Sequence, residues 1–111
     1  MLERIGSNLE HYLDLLTARQ KLVASNIANV DTPGYRAKDI DFATQFRGAV
    51  TGDPQVSEVE GLTTRTDGNN VSLDREMRLL AENGLHFQIA SALLRTELQN
   101  VRLAIQDGKS S

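Results

Sequence analysis

Ten positions in the last third of this 111-residue chain alternate spacings of four and three without a break. Leu73, Met77, Leu80, Gly84, Phe87, Ser91, Leu94, Leu98, Val101 and Ile105 form a heptad seam, the pattern of a helix that lies along another helix. Ser72 is an expected N-cap, Asp74 and Glu76 suit the positive end of the helix dipole, and Gly108 is the expected stop. One helix of about 36 residues, about 54 Å long, is predicted. The first third repeats the pattern less regularly through Leu2, Leu9, Leu13, Leu16, Gln20, Val23, Ile27 and Val30, with Ile5 and Tyr12 at its margin.

A second feature constrains the fold further. At 100° per residue, Leu85, Ile89, Ala92, Thr96 and Leu103 fall roughly opposite the C-terminal seam, and Leu15, Ala18 and Leu22 fall far from the N-terminal one. One partner helix cannot cover two faces. An isolated two-helix hairpin therefore buries too little, and its termini are expected to fold fully only on assembly with further subunits. Gly84 and Ser91, one heptad apart, are expected to admit a closely approaching neighbour, because a glycine within a helix costs about 1 kcal/mol relative to alanine.

The seams end on different chemistry. Asp31-Thr32-Pro33-Gly34 follows the first, where Pro33 disfavours helix at Thr32 and the Pro-Gly pair fits the two central positions of a type II turn. Next comes Asp39-Ile40-Asp41-Phe42, whose aspartates read as caps of a short helix presenting Phe42 and Phe46 on one face. Gly48, Gly52, Asp53-Pro54, Gly61 and Asp67-Gly68-Asn69-Asn70 punctuate two short stretches, Gln55 to Val59 and Leu62 to Thr66, either of which fits a strand. The expected architecture is mainly α: long N- and C-terminal helices pair as an antiparallel coiled-coil hairpin, with a small loop-rich middle segment holding a short β-hairpin. As boundaries within one domain, residues 1–30 make the first helix, 31–71 the signature turn and middle segment, and 72–108 the second helix.

Charge and composition narrow the function. Residues 1–30 hold three acids and three bases and residues 72–111 five of each, so the net −3 belongs to 31–71 and the helical ends are neutral, suited to packing. Lysine and arginine never form a run and the pI is near 5.3, which argues against nucleic acid. Without cysteine there is no disulfide framework, thiolate cage or Cys nucleophile. Apolar runs reach only three residues, as in Leu79-Leu80-Ala81, so neither membrane insertion nor a cleavable signal peptide is expected. His11 and His86 lack ligand spacing and read as surface or interfacial residues, and Asp67-Gly68-Asn69-Asn70 lacks the later Glu of a calcium loop and reads as a turn. No catalytic set, cofactor loop or metal site is found, so an enzyme is not expected.

The stretch Val23-Ala24-Ser25-Asn26-Ile27-Ala28-Asn29-Val30-Asp31-Thr32-Pro33-Gly34-Tyr35-Arg36 resembles the N-terminal signature of bacterial flagellar rod and hook proteins. Asp39 to Phe42, the run Asn70 to Met77, Ala81-Glu82-Asn83 and Phe87-Gln88 are similar to the proximal member of the basal-body rod family. The resemblance implies a structural subunit of the rod, the drive shaft crossing the periplasm, assembled through its terminal helices around an export channel. It implies as partners further copies and other rod proteins, the rod-to-export-gate adaptor FliE, the basal-body ring and the flagellar type III export apparatus, which secretes such subunits without a cleaved signal peptide. In the signature, Asn26 and Asn29 are expected to bond carbonyls near the helix end or on a neighbouring chain. Asp31-Thr32-Pro33-Gly34 redirects the backbone and Tyr35 anchors the redirected segment. The competing expectation is a cytoplasmic helical-hairpin adaptor or export chaperone, which needs the heptads but not the Asn-rich helix end and its turn.

Overall fold

A computed structural model describes residues 2–48 and 54–110. In chain order the elements are α1 (Leu2–Ala28), β1 (Lys38–Ile40), α2 (Phe42–Arg47), β2 (Val56–Glu58) and α3 (Leu73–Ser110). α1 and α3 are the long pair, and α2 is a short helix of six residues. The particle measures 71 × 24 × 17 Å, with a radius of gyration of 18.5 Å against about 13 Å for a compact domain of this length. In so elongated a shape the buried apolar core among the described residues is small, drawn from Leu15, Leu16, Val23, Ala37, Ile40, Val71 and Ala90.

α1 and α3 run antiparallel. Asn26 Nδ2 donates to Glu76 Oε1 (3.0 Å) and Asn83 Nδ2 donates to Gln20 Oε1 (3.1 Å), which fixes the register. Extrapolated at equal rise, Leu2 falls opposite about residue 100, so the last turns of α3 project past α1. The helix does not stop at Gly108, as the sequence suggested, but runs on to Ser110; a glycine ends a helix only where the backbone turns left-handed, and Gly108 stays helical.

The hairpin is as expected, but the stripe of α3 that meets α1 is not the apolar seam. Glu76, Asn83 and Ala90, spaced by sevens, are the buried positions of α3. Leu73, Met77, Leu80, Phe87, Leu98 and Ile105 are between 37% and 54% exposed, and Gly84, Ser91, Leu94 and Val101 are half-buried. On α1 the seam faces inward as expected: Leu16 and Val23 are buried, with Leu9, Leu13 and Ile27 half-buried. The rotation of α3 follows from buried Asn26 and half-buried Gln20 on α1, which need polar partners where the helices pack and find them at Glu76 and Asn83.

The second face divides in the same way. On α1, Leu15 is buried and Leu22 half-buried, because the stripe they share carries His11, which meets Gln45 O at 3.3 Å, and Arg19, which binds Asp39. On α3, Leu85, Ile89 and Leu103 remain more than half exposed, joined by Leu93.

β1 and β2 pair antiparallel, Lys38 with Glu58 and Ile40 with Val56. Of the two strand candidates only the first is a strand, and it pairs with the segment after the signature turn rather than with Leu62–Thr66. The latter enters a turn in which Arg65 N–H donates to Asn69 O (2.8 Å). Gly52 and Asp53 lie outside the described residues. Asp41 caps α2 by accepting from Thr44 N–H, and Phe42 and Phe46 meet the Tyr12 ring edge-on at 5.3 and 5.6 Å.

Beyond its own stretch of helix, Gly84 has no neighbouring atom within 4 Å of the position a Cβ would take. Gly84→Ala should therefore raise the helicity of the isolated chain, by up to about 1 kcal/mol in an unfolding experiment followed by circular dichroism.

Candidate functional site

Two arrangements stand out: a polar corner where the signature turn meets the start of α3, and the two uncovered faces of α3.

In the corner, Tyr35 N–H donates to Thr32 O (3.2 Å) across Pro33 and Gly34, and Gly34 takes φ +77°, the geometry a type II turn requires of its third residue. Asn29 Nδ2 donates to the Ser25 carbonyl (2.8 Å), closing the helix end as expected, and Thr32 Oγ1 donates to Asn29 Oδ1. Asn26 does more than cap. Its amide pairs with both backbone groups of Lys38, donating to the carbonyl (2.9 Å) and accepting from the N–H (3.1 Å), and it also donates to Glu76. One side chain thus stands in for a strand neighbour of β1 while holding α3. Tyr35 anchors the redirected chain by donating its hydroxyl to Asn26 Oδ1 (3.2 Å), with Ser25 Oγ 3.1 Å away. Asp31 and Pro33 are exposed.

A second turn locks the first. Gly34 N–H donates to Asp67 O (2.9 Å), and the Arg65 guanidinium donates to the Val30 carbonyl. Asn69, fully buried, donates from Nδ2 to the carbonyls of Asn29 and Thr32 (both 2.9 Å) and accepts from Val71 N–H (2.8 Å). Asn70 Oδ1 accepts from Ala37 N–H (2.6 Å). Gly68, at φ +87°, passes so close that a Cβ there would lie 3.3 Å from the Gly34 Cα. Gly68→Ala should cost about 1–2 kcal/mol through the left-handed backbone and that contact, measured by urea unfolding.

Behind the turns lies a charge network that the sequence did not disclose. Asp39 is not a helix cap: it sits in β1, nearly buried, clasped by Arg19 through Nε (3.0 Å) and Nη2 (2.9 Å) and by Arg75 Nη2 (2.6 Å). Burial alone would raise its pKa, but the Arg19 and Arg75 hydrogen bonds and the Ile40 N–H outweigh it and hold the carboxyl below its ordinary 3.8. Arg75 also donates to Glu76 Oε1 (2.9 Å). Arg19, Asp39, Arg75, Glu76 and Asn26 thereby tie α1, β1 and α3 together. Spacing could not reveal this network, since its members are drawn from three elements.

The two histidines occupy packing positions: His11 stacks on Phe46 at 5.8 Å, and His86 lines an open apolar groove. Among the described residues no group of three His, Asp or Glu side chains is placed to hold a metal ion, and no helix is long and apolar enough to cross a membrane.

The two faces of α3 lie on opposite sides of the line to α1. Taking 100° per residue, the seam centres about 60° to one side of the Glu76, Asn83, Ala90 stripe and the second face about 140° to the other. Beside the second face, Ile5, Leu9 and Tyr12 of α1, Phe46 of α2 and Ile89 and Leu93 of α3 line an open groove of about 410 Å³.

Comparison with known proteins agrees with this geometry. The family described as "Flagella basal body rod protein" matches residues 13–36, the second half of α1 and the signature turn. The flagellar basal body rod protein FlgB of Salmonella typhimurium is 30% identical over 137 aligned positions, covering 97% of this chain and 99% of the relative. FlgB of Escherichia coli K12 is 29% identical over the same coverage, and FlgB of Bacillus subtilis is 27% identical over 126 positions, covering 92% of this chain and 93% of the relative. The aligned stretch of 137 positions exceeds the 111 residues here, so those relatives carry segments without a counterpart in this chain. A helix end built on Asn26, a Pro-Gly turn clasped by a second turn, two outward apolar faces and full-length similarity to rod proteins lead to one assignment: this chain belongs to the flagellar basal body rod protein family, in its FlgB-like branch.

Proposed function

We propose that this structural rod component forms part of the proximal rod, the segment of the drive shaft that crosses the periplasm, and joins it through its terminal helices. The observation that carries the reading is the outward direction of both apolar faces of α3 while α1 occupies the polar stripe between them. A shaft under torque needs each subunit held on several sides, and such a helix pair offers lateral contacts on both flanks. The signature residues Asn26, Asn29, Asp31, Thr32, Pro33, Gly34 and Tyr35 hold the corner that sets how the middle segment leaves the pair. The seam and second-face residues of α3 are the assembly contacts. On this reading the chain passes through the type III export apparatus unfolded and without a cleaved signal peptide, folds fully on assembly, and meets other rod proteins, the adaptor FliE and the surrounding ring.

The test separates folding from assembly. Leu98→Glu and Ile105→Glu alter exposed positions and should leave stability within about 0.5 kcal/mol. Both should abolish swarming and recovery of the chain in detergent-resistant basal bodies, whereas Thr63→Glu, at an exposed position between β2 and α3, should do neither. Normal motility of Leu98→Glu together with a chain that stays in the soluble fraction would favour the adaptor or chaperone reading instead.

A further inference from the structure

We propose that Asn83-Gly84 is a spontaneous deamidation site that the pairing of α1 with α3 keeps closed, so that a chain left unpaired loses its competence to pair. The site is independent of the rod reading. Of the seven asparagines, Asn83 alone precedes a glycine; Asn8, Asn26, Asn29, Asn70 and Asn100 precede Leu, Ile or Val, and Asn69 precedes Asn70. With no Cβ in the way, the Gly84 nitrogen of a flexible chain can reach the Asn83 side chain. That nitrogen gives up its proton and bonds to Asn83 Cγ, the Cγ–Nδ2 bond breaks, and ammonia leaves with the proton. Water then opens the cyclic imide at one of its two carbonyls, leaving aspartate or isoaspartate.

Two constraints prevent the first step in the paired chain. Within α3 the Gly84 N–H is committed to the carbonyl one turn back, and helical torsions at Asn83 do not let the ring close. Asn83 Nδ2 also donates to Gln20 Oε1 (3.1 Å), which holds the side chain across the interface and away from its own backbone. Asn83 is 3% exposed, yet an open recess of about 370 Å³ lined by Leu16, Gln20, Gly84 and Phe87 lies beside it. Exclusion of water is therefore not the protection. The helix and the contact to α1 are, and both weaken when α3 leaves α1, since a helix in water owes most of its stability to packing. Either product damages the interface. Aspartate exchanges the donor to Gln20 for an anion in a stripe that already holds buried Glu76. Isoaspartate adds a carbon to the main chain, which breaks the spacing of sevens that sets Ala90 against α1.

The full chain, aged in neutral buffer or in guanidinium chloride, is then digested and followed by mass spectrometry. Deamidation adds about 1 Da to the peptide holding Asn83, whereas isomerisation at Asp67-Gly68 adds nothing. The gain should be at least about tenfold faster in denaturant than in buffer. In denaturant, Gly84→Ala should slow it at least about tenfold. Val23→Asp, at a buried position of α1, should lose helix by circular dichroism and deamidate at Asn83 in buffer at least about tenfold faster than the unsubstituted chain. On dilution from denaturant, the aged unsubstituted chain should fall short of full helix in proportion to its deamidated fraction, and aged Gly84→Ala should recover fully. Equal rates in buffer and denaturant, or loss of helix in Val23→Asp without faster deamidation, would overturn closure by pairing. Equal rates for Gly84→Ala and the unsubstituted chain in denaturant would overturn the site, and full recovery of deamidated chains would overturn its consequence.

Discussion

Replacing Asp39 with alanine is expected to speed amide exchange at Ala37, Lys38 and Ile40 about 100-fold, equivalent to about 3 kcal/mol of lost local stability. Its carboxylate is the anion shared by two guanidinia that reach β1, from Arg19 on α1 and Arg75 on α3, and all three groups are largely shielded from water. Removing it leaves the Arg19 guanidinium without its carboxylate and Arg75 with Glu76 alone, which costs far more than an exposed pair is worth. Hydrogen exchange is the suitable probe because it reads the corner directly, whatever the state of the helix ends. Unchanged protection would show that the network is dispensable.

The same group sets a pH dependence of definite sign. Because its folded pKa lies below the ordinary 3.8, Asp39 contributes stability that is fully present above that value and is lost as pH falls through the folded pKa. Asp39→Asn should therefore be less protected than the unsubstituted chain at neutral pH, and the difference should shrink once the pH drops below about 3.8. A difference that stays constant down to about pH 2 would exclude the charge as its source.

Asn26→Asp should be at least as damaging although it changes almost no volume. The amide nitrogen it removes donates at once to Lys38 O and Glu76 Oε1, and the oxygen that replaces it would face an acceptor on both sides. A second carboxylate would then stand about 3 Å from a fully buried one, whose Oε2 has no hydrogen-bond partner among the described residues with which to compensate. An unpaired buried charge of this kind costs about 3–5 kcal/mol, enough to open the corner and release α3 from α1. Its checks are loss of Lys38 amide protection and failure to complement swarming. Asn26→Ala, which leaves a hole but introduces no charge, should fall between. Equal protection of Asn26→Asp and the unsubstituted chain would mean that Glu76 turns away from this contact.

Much of the local structure could be read directly. Asp41 before Phe42, Ser72 three residues before Arg75, and Pro33-Gly34 after the helix each act within a few residues, through capping or turn geometry that neighbouring backbone supplies. What failed was long-range choice. Two segments fitted a strand equally well, and only the backbone of Lys38–Ile40 decided between them. Asp39 fitted a cap as well as Asp41 did until two arginines, 20 residues before it and 36 after, converged on it.

By itself, then, the sequence determined that this chain forms two long helices with more apolar surface than one hairpin can bury, a Pro-Gly turn between them, and the signature of a flagellar rod subunit. Helical periodicity, capping and turn formation are local, so spacing encodes them. Only the tertiary structure decided which stripe of α3 meets α1. Periodicity favours the most apolar stripe, but Asn26 and Gln20 must find hydrogen-bond partners where the two helices pack, and Glu76 and Asn83 supply them. That polar requirement turns the apolar seam outward, where a neighbouring subunit can reach it.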